Sequence, residues 1–379
     1  MNSNLKPENT SSIEAGFEAA FWDNRLYLDF TYYKTDSRNQ ILKLATTAAS
    51  GYTSQVRNAG HIRNRGYEIQ LGAVPIQTSK GFRWNLDLNY GANSSKVVKL
   101  DDEGLITSYQ LYSSGIQILA SVGEAYGTLF GTSYVRDANG NVVVDANGLP
   151  KISTTNKTLG KFTPDWTGGI SNTFSYRSLS LSFLIDASVG GSIFSNTNKT
   201  GKYTGVLANT LSGRDAEHGG LWYYTDAMGN NVRLSESPSY SVSSDGLYYA
   251  QVNGQSTRVY QDGIMVEGVT ESGSKNEEVV SAEKYYHRIY SIAEANVYDA
   301  SYVKLREVAL SYRLPRLWTQ KLHLQEASVT LTGRNLWTIY KSVPNIDPES
   351  ALTTGNAQGV EAYSLPTTRS FGVNLAVKF

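Results

Sequence analysis

The connections between the predicted strands of this 379-residue chain alternate between short and long, and this pattern restricts the possible folds more than any other feature. The short connections lie at about 22–25, 74–81, 176–178 and 314–325. The long connections run over about 34–61, 91–166, 190–300 and 339–366. A transmembrane β-barrel has short turns at one rim and long loops at the other, whereas a soluble β-sandwich rarely contains connections this long.

Apolar and polar side chains alternate along about nine stretches, which is the periodicity of strands with one apolar face. These predicted strands lie near residues 13–21, 26–33, 67–73, 82–90, 167–177, 179–189, 301–313, 326–338 and 371–379. In the stretch 301–313, Val303 and Leu305 are in one phase and Val308 and Leu310 are in the other, which indicates a β-bulge between the two pairs.

The apolar phase of the clearest strands contains no Asp, Glu, Lys or Arg. A lipid-facing surface requires this, because a charge at mid-membrane costs roughly 2–4 kcal/mol. The opposite phase is polar, with Asp29, Glu68, Arg83, Asp87, Asn89, Asp186 and Lys378. Such residues would line the interior of a large barrel or the outer surface of a sandwich, and periodicity alone does not separate these two folds.

Aromatic residues cluster near the predicted strand ends, at Trp22, Tyr32, Tyr33, Tyr90, Trp166, Tyr176, Tyr312, Trp318, Trp337 and Tyr340. We interpret them as the aromatic girdles of a membrane barrel, although the ordinary β-propensity of Trp and Tyr is the alternative. The final strand carries its apolar residues at Phe371, Val373, Leu375, Val377 and Phe379. An amphipathic last strand that ends in Phe is typical of outer-membrane barrels, whose assembly machinery recognises it.

Composition excludes several classes of function. Lys plus Arg number 34 and Asp plus Glu number 34, so no net charge attracts nucleic acid. There are no cysteines, which rules out thiolate metal sites, disulfides and a cysteine nucleophile. The histidines show no metal-site spacing, and no nucleophile elbow, P-loop or dinucleotide fingerprint occurs. We therefore predict neither an enzyme nor a bound metal or cofactor.

Membrane and export signals point in different directions. No apolar stretch is long enough for a transmembrane helix, which needs about 18 residues or more. The polar N-terminus lacks the order of a signal peptide, which at face value would mean a cytoplasmic protein. Because the rest of the chain has the pattern of an exported barrel, we expect that the N-terminus is truncated.

Two loop segments are candidates for binding. Asp137–Gly140 and Asp145–Gly148 repeat an Asp-Ala-Asn-Gly sequence, which we interpret as tight turns and not as a Ca²⁺ loop, because the final bidentate Glu is missing. The connection 190–300 is rich in aromatic residues. Those we predict to contact a ligand or a lid protein are Trp222, Tyr223, Tyr224, Tyr248 and Tyr249. The alternative is that they form a small core of the loop itself.

Several segments together resemble the SusC/RagA family of TonB-dependent outer-membrane transporters of Bacteroidetes. The early segments are Leu5–Glu8, Glu14–Phe17 and Leu28–Tyr33, followed by Asn58–Gly60 and Asn64–Glu68. Later come Thr163–Gly169, Asn172–Tyr176, Tyr302–Glu307, Leu310–Tyr312, Gly333–Trp337 and Pro344–Glu349. Their order and spacing hold across the whole chain.

The resemblance implies that residues 1–379 are the C-terminal part of a 22-stranded antiparallel barrel whose plug domain and first strands are absent. It also implies an outer-membrane importer of oligosaccharides or peptides. The implied partners are a SusD-like surface lipoprotein as lid, TonB acting through the missing plug, outer-membrane lipid and the barrel-assembly machinery. A passive porin-like barrel and a secreted β-sandwich that binds glycans remain as alternatives.

Overall fold

The structure is a computed structural model that describes residues 5–45, 51, 54–101, 103–321 and 323–379. The first twelve strands are β1 (Asn9–Phe21), β2 (Leu26–Arg38), β3 (Ile41–Ala45), β4 (Ser54–Asn58), β5 (His61–Gln77), β6 (Phe82–Lys99), β7 (Ser108–Ser113), β8 (Gln117–Ser121), β9 (Tyr126–Gly131), β10 (Lys157–Lys161), β11 (Trp166–Tyr176) and β12 (Leu179–Val189). The other twelve are β13 (Ser192–Ser195), β14 (Leu221–Thr225), β15 (Asn231–Arg233), β16 (Tyr240–Val242), β17 (Tyr248–Val252), β18 (Gln255–Met265), β19 (Val279–Ser281), β20 (Val297–Asp299), β21 (Tyr302–Arg313), β22 (Glu326–Lys341), β23 (Val360–Glu361) and β24 (Ser370–Lys378).

The helices are short. They are α1 (Asn196–Thr204), α2 (Ala282–Tyr290) and α3 (Arg316–Lys321), together with single 3₁₀ turns at Ala208–Thr210, Ala216–His218 and Ala293–Asn296. Among the residues that the structure describes, no helix has the length and apolar character needed to cross a membrane.

One nine-stranded sheet, here called the wall sheet, contains all nine predicted strands. Its order is β1-β2-β5-β6-β11-β12-β21-β22-β24. Every strand is antiparallel to its neighbour, so successive connections lie at opposite ends of the sheet. The short connections share one end, called the turn end, and the long ones share the other, called the loop end. The predicted alternation of connection lengths is therefore confirmed, apart from the parts of 34–61, 91–166 and 314–325 that lie outside the described residues.

The strand register aligns the apolar side chains in rows on one face of the wall sheet. One row that crosses eight strands contains Ala19, Leu28, Leu71, Leu88, Ile170, Ile185, Leu305 and Trp337. This apolar face is not covered by other parts of the described chain, and Leu331, Phe371 and Val373 are more than half exposed. A continuous apolar face of this kind is suited to contact lipid.

The predicted bulge is present where β12 pairs with β21. Leu184 pairs with Glu307 and Ile185 pairs with Leu305, so Arg306 is the additional residue. The extra residue restores the phase, since Leu305 and Val308 then lie on the same apolar face. It also places two consecutive charged side chains, those of Arg306 and Glu307, on the polar face.

A single amide interrupts the apolar face and is shielded. Asn172 lies between Leu86 and Phe183 in its row and is only 8% exposed. The indole Nε1 of Trp84 donates a hydrogen bond to Asn172 Oδ1 at 3.0 Å, and the Trp84 ring stacks on Phe174. Asn172 Oδ1 therefore has a hydrogen-bond donor, which a polar group on an apolar face requires.

Most of the predicted girdle residues lie on the apolar face near the strand ends, but the prediction for Tyr33 is wrong. Tyr33 pairs with Gly66 on the polar face and its hydroxyl donates to Asn93 Oδ1 at 3.3 Å. A Cβ on Gly66 would lie 2.6 Å from the Tyr33 hydroxyl, so the glycine makes room for the phenol. Tyr32, its neighbour in the chain, points to the opposite face, because successive strand residues alternate.

Several strands extend further towards the loop end than the sequence predicts. β2 continues to Arg38, β5 begins at His61 and β6 continues to Lys99. Their outer ends are mostly polar, with only scattered apolar residues such as Ile62 and Val97, so the alternation of apolar and polar residues disappears although the backbone pairing continues. Hydrophobic periodicity reports where one face is apolar and not where the strand ends.

The long connections 103–165, 190–301 and 342–369 pack on one another, and together they are called the loop body. Their shared core contains Ile116, Ile118, Leu129, Phe194, Ala293 and Val360. A buried carboxylate also joins two connections, because Glu361 accepts hydrogen bonds from Ser195 Oγ at 2.6 Å and Thr197 Oγ1 at 2.5 Å. The predicted tight turns at 137–148 are confirmed, with Asp137 and Asp145 accepting backbone N–H groups within each turn.

Candidate functional site

A buried ion network joins the wall sheet to the last long connection. Lys304 of β21 has a side chain that is 4% exposed. Its Nζ lies 2.6 Å from Asp347 Oδ1 and 2.6 Å from Glu349 Oε2. The carboxylates follow a sharp turn at Pro344–Ile346, in which Asn345 has a positive φ of 64°. Two segments that are far apart in the sequence, 302–307 and 344–349, thus meet in one site.

The bulge residue Arg306 extends this network along the polar face. Its Nε lies 2.7 Å from Asp186 Oδ1, and a terminal nitrogen donates to Asp186 Oδ2 at 2.9 Å. The guanidinium also pairs with Glu349, whose Oε1 accepts a hydrogen bond from the Tyr302 hydroxyl at 3.0 Å. We call the set Asp186, Tyr302, Lys304, Arg306, Asp347 and Glu349 the latch, because it ties the connection 342–369 to two wall strands.

The surroundings of Asp347 and Glu349 lower the pKa of both carboxyl groups. Burial acts to raise the pKa of Asp347, but hydrogen bonds from Lys304 and Thr367 outweigh it and hold the pKa at about 2. Burial likewise opposes ionisation of Glu349, and the hydrogen bonds from Arg306 and Lys304 lower its pKa below the usual value. With three carboxylates and two basic groups, the latch carries one net negative charge at neutral pH.

The pKa of Asp347 predicts that acid weakens the latch. A carboxylate with a lowered pKa in the folded state contributes stability above its unfolded pKa, and this stability is lost as the pH falls towards the folded pKa. We therefore expect the latch to hold above about pH 4 and to weaken between about pH 4 and 2. Hydrogen exchange of the amides of residues 345–347 and 349, corrected for the intrinsic effect of pH on amide exchange, measures this loosening, and a protection factor that stays constant across the range would contradict it.

The polar face of the wall sheet carries a row of carboxylates and amides that leads to the latch. The row contains Glu18, Asp29, Gln70, Asn89, Gly169, Asp186 and Lys304 on seven neighbouring strands. Glycines at Gly91 and Gly169 leave a depression of about 450 Å³ beside it, bordered by Glu68 and Tyr302. Within the described chain, Glu18, Asp29 and Glu68 form no ion pair, so this part of the face is acidic and hydrated.

The aromatic residues predicted to contact a ligand lie in a six-stranded sheet of the loop body formed by β14 to β19. Trp222 is 7% exposed and packs against Tyr240 and Tyr248 at ring distances of 5.1 and 5.8 Å. Tyr224 packs on the same small core. These residues therefore contribute to the interior of the loop body, which was the alternative interpretation of their pattern.

The remaining two aromatic positions lie on the other side of that sheet. Tyr223 is buried, stacks on Tyr260 at 5.0 Å and donates a hydrogen bond to Asp262 Oδ1 at 3.2 Å. Tyr249 pairs with Arg258 and is half-buried. Ligand or lid contact by the five aromatic residues stays a prediction.

The predicted assembly strand is β24, which pairs with β22. Its apolar residues Phe371, Val373, Leu375 and Val377 all point to the apolar face and are 43–80% exposed. Its other edge faces no strand of the described chain, so its backbone groups remain available for pairing. Recognition of this strand by assembly machinery stays a prediction.

Three of the four histidines have side-chain partners in the described chain. His61 lies 2.5 Å from Asp36 Oδ1, His218 lies 2.7 Å from Asp215 Oδ1, and His287 stacks on Tyr203. In the part of the chain that the structure describes, no group of three or more His, Asp or Glu side chains is placed to hold a metal ion.

Comparison with known proteins identifies the family. The family described as "TonB dependent receptor-like, beta-barrel" matches residues 1–204, which is more than half of the chain. The chain belongs to this family. TonB-dependent receptors of this family are outer-membrane β-barrel proteins, and the wall sheet of this receptor chain is therefore part of an outer-membrane barrel.

Two curated relatives from Formosa agariphila align with the whole receptor chain. TonB-dependent receptor P3 is 27% identical over 407 residues, and TonB-dependent receptor P26 is 25% identical over 406 residues. Each alignment covers 100% of this chain and 35% of the relative. The receptor chain thus spans about a third of the length of the curated relatives it matches.

Two solved structures share the fold. A structure of the RagAB peptide transporter matches 98% of this chain and 35% of its own, with a TM-score of 0.61 and 20% identity. The RagAB peptide importer in an open-open state matches 100% of this chain and 35% of its own, with a TM-score of 0.64 and 18% identity. The SusC/RagA resemblance of the sequence is thereby confirmed.

Proposed function

We propose that this chain forms the C-terminal part of a TonB-dependent importer that moves an oligosaccharide or a peptide across the outer membrane. The observation that carries the proposal is the wall sheet, which has an apolar face for lipid and a polar face for a hydrated interior. The loop body at one end of the sheet would capture the ligand. Energy would reach the transporter from TonB through a plug domain in the remainder of the protein.

Two further parts of the proposal concern partners. A SusD-like surface lipoprotein would cover the loop body as a lid, and the fold shared with RagAB supports this assignment. The barrel-assembly machinery would recognise β24, because it is the last strand of the wall sheet and presents a row of exposed apolar residues. The soluble sandwich alternative does not fit, since the nine strands form one sheet and the family is a membrane family. A passive porin-like barrel, the other alternative, would let the ligand diffuse through without energy from TonB.

Uptake by intact cells tests the proposal and separates it from passive diffusion. In cells with and without an in-frame deletion of the gene that contains this chain, we expect the deletion to abolish uptake of a fluorescent oligosaccharide or oligopeptide. A protonophore should abolish the same uptake in the parent cells, because TonB is driven by the proton gradient. Uptake that depends on the gene but resists the protonophore would favour a passive pore, and uptake independent of the gene would contradict both functions.

A further inference from the structure

A second cavity lies inside the loop body, away from the wall sheet and the latch. It has a volume of about 760 Å³ and lies between residues 134–150 of one long connection and residues 209–286 of another. This volume is within the range of small-molecule sites, about 300–1,000 Å³. Its lining includes Tyr134, Ile264, Met265, Glu267, Tyr285 and Tyr286.

The aromatic side of this cavity is held in place by hydrogen bonds. The Tyr286 hydroxyl donates to the backbone oxygens of Asn209 at 3.0 Å and Ser212 at 3.3 Å. Tyr285 packs edge-on against Tyr286, with ring centroids 5.2 Å apart. The two rings therefore join α2 to the segment 209–212, and the cavity is formed before any ligand enters.

The lining has an uneven charge distribution. Glu267 is its one carboxylate, and the lining contains no Lys, Arg or His. Glu267 is exposed at the edge of the cavity and forms no ion pair within the described residues. Burial raises the pKa of Tyr134, Tyr285 and Tyr286, so these phenols stay neutral near pH 7. Arg136 already lies over the Tyr134 ring, 5.6 Å from its centroid. The groups that remain to attract a cation are therefore the Glu267 carboxylate and the rings of Tyr285 and Tyr286.

The side chains that line the cavity favour a peptide over an oligosaccharide as its ligand. An oligosaccharide presents hydroxyl groups on every side and needs many polar partners, because unpaired buried polar groups are costly. Here Val142, Leu221, Ile264 and Met265 line the cavity, Asn209 and Ser212 are its small polar side chains, and the Tyr286 hydroxyl is already engaged. A lysine or arginine side chain has an apolar stem and a charged tip, which matches a cavity that combines apolar side chains with one carboxylate at its edge.

From this geometry we propose that the loop-body cavity binds a basic side chain of a peptide ligand, with its alkyl stem among the aromatic rings and its cation at Glu267. The inference rests on the proposed import function and selects peptides as its substrate class. It assigns to the loop body a preference for basic over acidic or neutral peptides.

The test is calorimetric titration of the full-length native transporter in detergent. The probes are three capped hexapeptides that differ at one central position, which is lysine, norleucine or glutamate. The variants are Glu267→Gln, which removes the charge at nearly constant volume, and Ser212→Trp, which fills the cavity from its exposed edge. The matched control is Glu236→Gln, which removes an exposed charge of the same connection outside the cavity lining.

We expect the lysine peptide to bind the native protein and the glutamate peptide not to bind. Glu267→Gln should weaken binding of the lysine peptide about threefold and leave the norleucine peptide unchanged, because the ion pair that is lost is solvent-exposed. Ser212→Trp should weaken binding of both. Glu236→Gln should change neither.

Two outcomes would overturn the inference while the proposed function stands. The first is binding of the lysine peptide that neither cavity variant alters, which would place peptide recognition elsewhere. The second is the absence of peptide binding together with protonophore-sensitive uptake of an oligosaccharide. Absence of energised uptake of both ligand classes would instead remove the proposed function.

Discussion

Replacement of Lys304 by methionine is expected to lower the free energy of unfolding of the full-length protein by about 3–5 kcal/mol. Methionine fills a similar volume but leaves Asp347 and Glu349 without their shared cation in a site where Asp347 is 8% exposed. Removal of one partner from a buried ion pair is costly, because the remaining charge stays desolvated. Thermal unfolding in detergent, followed by limited proteolysis of the connection 342–369, measures the effect.

The control for this variant is Lys151→Met, which removes a surface ion pair of the loop body. Lys151 Nζ lies 2.6 Å from Glu271 Oε1, but the two side chains are 35% and 67% exposed. Exposed pairs contribute about 0–1 kcal/mol, so this variant should unfold nearly as the native protein does. Equal stability of the two variants would show that the latch does not anchor the connection.

Replacement of Ile170 by arginine is expected to remove most of the protein from the outer membrane. Ile170 lies in the middle of β11, in register with Leu88 and Ile185 on the apolar face. A positive charge on a lipid-facing position near the membrane centre costs roughly 2–4 kcal/mol, and an unassembled barrel is degraded. Immunoblots of outer-membrane fractions measure the amount of assembled protein, and the shift of its band between heated and unheated samples reports folding.

The neighbouring substitution Ser171→Arg provides the matched control. Ser171 pairs with Asp87 and Leu184 on the polar face, where a positive charge meets water and a carboxylate. We expect nearly normal assembly of this variant. Equal loss of both variants would mean that β11 does not separate a lipid face from a hydrated face.

The strands of the wall sheet were predictable because lipid contact on one face imposes a strict period of two. This constraint acts on each strand separately, so Leu26, Leu28 and Phe30 identify β2 without knowledge of its neighbours. The bulge at Arg306 was predictable for the same reason, since the change of phase between Leu305 and Val308 occurs within one strand. The apolar pattern gave no information where apolar residues are too few to alternate, as at the outer ends of β5 and β6.

The candidate sites were less predictable, because they depend on contacts between distant segments. The segments 302–307 and 344–349 both stand out in the sequence, but only the register of β21 and the turn at Asn345 bring Lys304 to Asp347. Aromatic composition identified the connection 190–300 but not the role of each ring. Trp222 lies inside the loop body, whereas Tyr285 and Tyr286 line the cavity together with Tyr134, which belongs to another connection.

The shared core of the loop body determines how a ligand could be admitted. Phe194 is fully buried among residues from three long connections, and the side chain of Glu361 joins two of them. One connection could not swing away alone without exposing this core to water. We therefore expect the three connections to move together as one body.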